Sequence, residues 1–268
     1  MRIHVSTVLY KHTLSDIDPL LWSISNLARV SSLFIQLSVY DASPFPHQSL
    51  HSAIQILSSP RISYRYHAGP NIGFSRANNF NLLSPEGADF DLFLICNPDI
   101  SFEPVELLPL LNWTLSCSNV SCSVPLILNS EGYIQYSAKK NPTLLSLFLG
   151  RFSALRLLPF LDSYYKDSTF SYRDYLTDSF VCEYVSGCFM VVPPHCYRQV
   201  SGFSPEYFLH MEDADISRKL CTLGDVVHNP LGLVTHRWAR GSHSSFRQTV
   251  HLIFSLIIYF RKWGLKIL

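Results

Sequence analysis

The sequence predicts an α/β protein: a mostly parallel, twisted sheet flanked by helices, with a helical extension at the C-terminus. Three observations carry that expectation. Strand-length apolar runs alternate with segments of helical periodicity through the first hundred residues, as in a parallel sheet with crossover helices. Several of the strand-like runs end on polar residues, the edge where such sheets hold ligands. And a chain of 268 residues, 47% hydrophobic and 13% aromatic, can bury a substantial core.

The elements follow in order. "IHVSTVLY" (3–10) is a strand. The stretch near 16–32 packs Ile17, Leu20, Leu21 and Ile24 on one helical face. "LFIQLSVYDAS" (33–43) is a second strand, ending at Asp41. A short helix around "SLHSAIQIL" leads to a third strand, "RISYRYHA" (61–68). "GFSRANNFNLLS" opens a helix, and "DLFLICNPDI" (91–100) is a fourth strand. The middle, about 126–180, mixes a basic turn with short amphipathic pieces and names no chemistry. "EYVSGCFMVVPP" (183–194) resumes strand character, with Gly187 a point of close approach. A helix runs from about Glu212 to Gly224, with Ile216, Leu220 and Leu223 on one face. A strand then ends at His236. No internal repeat or low-complexity tract interrupts the chain.

Composition excludes several function classes. With 21 basic and 20 acidic residues the net charge is +1, so no nucleic-acid partner is expected. The seven cysteines are scattered and form no CxxC, which suggests buried thiols in a reducing compartment rather than zinc or redox chemistry. The N-terminus lacks the apolar stretch of a signal peptide, and no run approaches the roughly 20 apolar residues of a membrane span. The expectation is a cytoplasmic protein, soluble or peripheral. After Asp225 no acid occurs, whereas Arg237, Arg240, Arg247, Arg261, Lys262 and Lys266 surround the apolar "VHLIFSLIIYF" (250–260). Such a segment suits either an anionic membrane surface or a core helix with solvated basic ends.

Candidate chemistry gathers at the strand ends. In "FLICNPDI" (93–100) an apolar run stops at Asn97-Pro98-Asp99, a carboxylate stiffened by a proline that cannot continue a ladder. Parallel strands would bring Asp41, the Asn71 loop and Asp99 to one rim, which favours a ligand over a plain turn. Glu212, Asp213 and Asp215 crowd the first turn of their helix. Acids there need no function, because the macrodipole favours them; a carboxylate held ionised could also accept a hydroxyl proton. Spacing does not choose between them. His236 with Asp99 would offer a hard divalent cation one imidazole and one carboxylate, with Arg237, Arg240 and Ser242 placed to meet a diphosphate.

Taken in order, these pieces resemble glycosyltransferase family 2, inverting enzymes with the Rossmann-like GT-A fold, and within it the bacterial rhamnosyltransferase-like branch. The resembling segments are Asp41-Ala42-Ser43, "NIGFSRANN" (71–79), Asn97-Pro98-Asp99, "SGCFMVV", "GFSPEYFLHMEDADIS", "VTHRWARGS" and "FSLIIYFRKWG". "YSAKKNPTL" (136–144) is similar to a rhamnosyltransferase segment. Ala42, Arg76 and Ser204 depart from the usual residues, the first two near the nucleotide. The resemblance implies a glycosyltransferase domain over 1–245, with a nucleotide-binding half (1–100) and an acceptor-binding, catalytic half (101–245). An amphipathic basic helix, 246–268, would follow.

It further implies a nucleotide-diphosphate sugar donor held by Asp41, Asn71, Gly73, Asn78, Asn97, Asp99, Arg240 and Ser242. Mg2+ or Mn2+ would sit on Asp99 and His236. Asp213 would be the base, with Glu212 beside it and Asp215 in a structural role. The implied donor is dTDP-L-rhamnose, with UDP-galactose, UDP-glucose or a UDP-N-acetylhexosamine as alternatives. The implied acceptor is a polyprenyl-diphosphate-linked saccharide at the inner leaflet, for an O-antigen-like polysaccharide. A non-catalytic nucleotide-sugar-binding subunit is the other class; it would have lost the acids that this chain keeps. A nucleotidyltransferase would carry a glycine-rich loop after the first strand, which "TVLYKHTLSD" lacks.

Overall fold

The structure is a computed structural model, and it describes residues 1–83, 89–237 and 246–268. The chain runs β1 (Arg2–Leu9), α1 (Leu14–Val30), β2 (Phe34–Asp41), α2 (Gln48–Ile56), β3 (Ile62–Ala68), α3 (Phe74–Leu82) and β4 (Leu92–Cys96). β5 (Ile100–Ser101), α4 (Pro104–Ser116), β6 (Val120–Leu128), β7 (Ala138–Lys139) and α5 (Leu144–Arg151) follow. A 3-10 turn (Ser153–Leu157), α6 (Pro159–Ser168), β8 (Phe180–Val181), β9 (Tyr184–Val185), β10 (Phe189–Val192) and α7 (Pro194–Gln199) come next. The described residues end with α8 (Glu212–Leu220), β11 (Asp225–His236) and α9 (Phe246–Trp263).

Among the described residues the main sheet is ordered β3-β2-β1-β4-β10-β6-β11-β5, with β8 also paired to β11. β1 to β4 are mutually parallel, as are β6 and β11, while β10 runs antiparallel between the two groups. Period-two alternation explains why β4 is apolar throughout. Leu92, Leu94 and Cys96 enter the cluster under α1 and α4, whereas Phe93 and Ile95 enter the one that holds Tyr197, Ile216 and Leu220. A strand covered on both faces has no polar side to show.

The expected strand over 91–100 is shorter than its apolar pattern. It stops at Cys96, because Asn97 N–H turns to the Cys188 carbonyl and Pro98 has no N–H to give. The chain then re-enters the sheet at β5, where Ile100 pairs with His236 of β11. The strand expected over 183–194 likewise divides at 186–188, since Gly187 N–H is committed to Asp213 instead of a ladder. β9 pairs with β7 in a separate two-stranded sheet, and β10 joins the main one.

α9 is a docked helix with an uncovered side. Tyr259 packs with Tyr207, Met211 and Ala214, and Ser255 Oγ donates to the Leu209 carbonyl. Buried Asp215 fastens its end, accepting from Trp263 Nε1 at 2.8 Å and pairing with Lys262 at 2.8 Å. Ile253, Phe254 and Ile257 face outward. No described helix is long and apolar enough to cross a membrane.

Candidate active site

The carboxyl ends of β1 to β4 open on a cavity of about 1170 Å³. One side is built from Tyr10 and Lys11 after β1, Ala42 after β2, Asn71 and Gly73 after β3, and Asn97 and Asp99 after β4. The remainder comes from residues distant in sequence: the 133–139 segment, Ser186–Cys188, the 208–213 segment, and Gln248 and His251 of α9.

The β5–β11 pairing sets the first functional pair. It places Asp99 Oδ1 3.3 Å from His236 Nε2, and Arg237 N–H closes the turn on the Asp99 carbonyl. Gln135 orients the imidazole. Its amide NH2 donates to the His236 carbonyl, which can only accept, so its Oε1 must face Nδ1, 2.9 Å away. Nδ1 therefore carries a proton, and Nε2 points its remaining capacity at Asp99. Burial works to lower the His236 pKa, but the Asp99 carboxylate and Cys188 outweigh it and raise it to about 10. Burial also opposes ionisation of Asp99, yet the His236 contact holds its carboxyl below the usual range. Raised that far, His236 is itself the cation that the Asp99 carboxylate meets. With its Nε2 proton displaced, the ring nitrogen and the carboxylate oxygen, side by side on open cavity, would suit a divalent cation such as Mg2+ or Mn2+. Among the described residues no group of three His, Cys, Asp or Glu gathers around a metal position.

The second pair opens α8. His210 and Met211 both take left-handed conformations, at φ 71° and 64°, and turn the chain into the helix at Glu212. Asp213 Oδ2 accepts from Gly187 N–H and Tyr184 Oη, both at 3.2 Å, and Oδ1 accepts from Ala214 N–H at 2.9 Å. Glu212 differs: it is buried, its Oε2 has no partner, and it lines the cavity. Burial first, and the Asp213 charge second, raise its pKa from 4.5 to about 8. The adjacent carboxyls thus differ, Asp213 fixed by three donors and Glu212 holding a proton near neutrality. The 186–188 turn joins the two pairs. A Cβ on Gly187 would lie 3.2 Å from that of Asp213, the close approach expected there, while Cys188 receives Asn97 N–H.

The other expected residues fall into three groups. Asn71 lines the cavity and accepts from Gly73 N–H, and Asn97 lies beside His236. Gly73 has φ +85°, and a Cβ there would meet the Phe208 carbonyl oxygen at 2.6 Å. Its close approach is thus to the protein's own backbone. Asp41 and Asn78 stand behind the wall. Asp41 is fully buried, accepting from Ser43 N–H and Tyr66 Oη, and Asn78 spends its amide on Ser6 and Phe74 within the core. Arg240 and Ser242 lie outside the described residues. Asp215 is structural, as expected, clamping α9. The residues missed from sequence are Gln135, Tyr184, Gln248 and His251. Gln135, Tyr184 and His251 meet partners far along the chain, His236, Asp213 and Phe208, and Gln248 is known only by its place in the cavity lining.

No family model matches the chain. In sequence it is similar to the N-acetylglucosaminyl-diphospho-decaprenol L-rhamnosyltransferase of Mycobacterium tuberculosis, 26% identical over 183 residues, found in two strains. The match covers 65% of this chain and 58% of the relative, so the chain spans less than two thirds of that protein's length. Among solved structures, GalNAc-T7 with UDP, GalNAc and Mn2+ aligns with a TM-score of 0.61 at 14% identity, over 87% of this chain and 42% of that one. The mannosyltransferase PcManGT from Pyrobaculum calidifontis, with GDP-Man and Mn2+, aligns at 0.56 and 13%, over 97% and 64%. S. aureus TarS 1-349 with UDP aligns at 0.55 and 14%, over 88% and 60%. By fold the chain is thus a GT-A protein, and by sequence it resembles the rhamnosyltransferase-like branch of the family 2 glycosyltransferases.

Proposed function

We propose that the protein is an inverting hexosyltransferase that moves a sugar, L-rhamnose by this reading, from a nucleotide diphosphate to a hydroxyl of a lipid-linked saccharide. The observation that carries it is the placement of both pairs, Asp99–His236 and Glu212–Asp213, on one cavity at the carboxyl edge of the sheet. The rhamnose assignment and the polyprenyl-diphosphate acceptor rest on the similarity to the mycobacterial rhamnosyltransferase. Synthesis of an O-antigen-like surface polysaccharide, at the cytoplasmic face of the inner membrane, belongs to the same proposal.

The donor lies along the strand ends, with Asn71, Asn97 and the Gly73 turn positioning ribose and sugar, and with Arg240 and Ser242 expected at the diphosphate. Asp41 acts from behind, fixing Tyr66 and the Ser43 backbone. Asp99 and His236 would hold Mg2+ or Mn2+, which when bound offsets the charge gathering on the departing nucleoside diphosphate. Asp213, aligned by Gly187 and Tyr184, takes the proton from the acceptor hydroxyl as that oxygen bonds to the anomeric carbon. The carbon–oxygen bond to the diphosphate breaks on the opposite face, so one displacement inverts the centre. Glu212, protonated near neutrality, can donate a hydrogen bond to the acceptor without competing for its proton. Calorimetry with dTDP-rhamnose, UDP-galactose and UDP-N-acetylglucosamine, each with and without Mn2+, tests the reading. Tight, Mn2+-dependent binding of dTDP-rhamnose supports it; preference for another donor moves the sugar assignment, and binding of none refutes it.

A further inference from the structure

The segment the sequence left without chemistry, α5 through α6, is apolar but barely contributes to the core. α5 buries Leu149 alone, and neither the 3-10 turn nor α6 buries a residue. Leu157 is 85% exposed and Phe160 68%, with Phe148 and Phe152 half-exposed on the α5 face. The uncovered side of α9 adjoins this surface. Residues 266 and 267 lend their carbonyls to the Leu144 and Leu145 N–H groups, and Leu147 packs into the Tyr259 cluster. Phe254, 62% exposed, continues the apolar surface along α9.

We infer that α5, the 3-10 turn, α6 and the outer stripe of α9 form one face that docks on an anionic lipid bilayer and sets the cavity mouth at its surface. Charge selects this occupant. From α5 to α6, residues 144–168, the two acids are each paired, Asp162 with Lys166 and Asp167 with Lys140, which leaves Arg151 and Arg156 in excess, and residues 246–268 carry four basic residues without an acid. A second copy of the chain would bring like charge against like; an anionic headgroup layer complements it. The placement also has a chemical use. Tyr165 of α6, with Gln248 and His251 of α9, belongs to the cavity lining. The helices that meet the lipid therefore also form the cavity's edge, and an acceptor anchored by its polyprenyl chain reaches the site without leaving the bilayer. This step rests on the lipid-linked acceptor proposed above.

The test is co-sedimentation of the full chain with vesicles of phosphatidylcholine alone and with added phosphatidylglycerol. The expected result is binding to the anionic vesicles, lost at least tenfold in the double variant Leu157→Glu/Phe160→Glu. Both residues are exposed and lie outside the cavity lining, so donor binding by calorimetry and the thermal unfolding midpoint should stay unchanged. Transfer to a vesicle-borne acceptor should fall, while transfer to a short-chain, water-soluble acceptor should not. Wild-type protein that ignores anionic vesicles overturns the inference, as does a double variant that binds them fully. Light scattering that finds a dimer dissociated by the same double variant also overturns it, in favour of self-association. Failure of donor binding would instead refute the glycosyltransferase reading and leave the vesicle result standing.

Discussion

Replacing Asp213 by Asn removes one proton acceptor and leaves most of the local geometry in place. The Asn carbonyl oxygen can still receive Gly187 N–H and Tyr184 Oη. Its NH2 group must then face Ala214 N–H, a donor against a donor, at a cost of about 1 kcal/mol in stability. The fold should tolerate that. The catalytic cost is larger: loss of a positioned general base lowers the rate roughly 10²–10⁴-fold, about 2.7–5.5 kcal/mol in the barrier. Donor binding depends on the strand-end wall, so its dissociation constant should change less than about threefold, as for a separated site. Because the Asp213 charge helps to raise the Glu212 pKa, the variant should also ionise Glu212 at lower pH. Single-turnover kinetics with saturating donor, alongside calorimetric donor binding, separates these effects. A rate loss below tenfold, or an equal loss in donor affinity, would refute Asp213 as the base.

Three further outcomes are expected. Gln135→Leu should weaken Mn2+ binding in the presence of nucleotide about 10–100-fold by releasing the His236 ring, while Gln135→Glu, which keeps an acceptor at Nδ1, should retain most of it; titration followed by Mn2+ EPR reads this without turnover. Glu212 holds its proton in the folded state up to about pH 8, against 4.5 for a glutamate exposed in the unfolded chain, so folding is penalised progressively as pH rises across that window, by up to about 1.4 kcal/mol per unit. Urea midpoints should therefore fall from pH 5 to pH 8 in the wild type, and Glu212→Gln should flatten that part of the profile. Gly73→Ala must either push back the Phe208 backbone or strain a residue at φ +85°, costing on the order of 1–3 kcal/mol and weakening donor binding; a variant with wild-type midpoint and affinity would show the contact to be dispensable.

Much of the architecture was legible in the sequence because its signals are local. The period-two and helical patterns of residues 1–100 gave β1 to β4 with their helices, and the acids at 212–215 marked their helix start, whereas Gly187, expected as a close approach within one strand, divides that strand in two. Asp99 and His236 were legible as candidate partners from their chemistry, and the resemblance pointed to the same pair, but no local pattern shows them in contact. What brings them together is an antiparallel contact between a two-residue strand and one more than a hundred residues later, too short to leave a pattern. Asp41 and Asn78 were correctly placed near the strand ends, but sequence cannot show that Tyr66 and Ser6 have already claimed their polar atoms. The 144–161 segment, read only as short amphipathic pieces, gave no sign of where it sits. Its apolar residues stand largely at the surface because α5 and α6 pack on each other, and Leu147 of α5 on the Tyr259 cluster, instead of on the sheet.

The contact between Gly73 and Phe208 also bears on how substrates come and go. α3 is stitched to residues 197–208 by five hydrogen bonds. Phe74 N–H reaches the Phe208 carbonyl, Arg76 Nε the Pro205 carbonyl, and Asn79 exchanges two with Phe203 and receives one from Tyr197. Lifting α3 off that segment would break all five, a net cost of about 5 kcal/mol. Such an open state would be populated in only about one molecule in several thousand. Traffic through this cavity is therefore governed by side chains and short loops at its mouth, against a frame that stays shut.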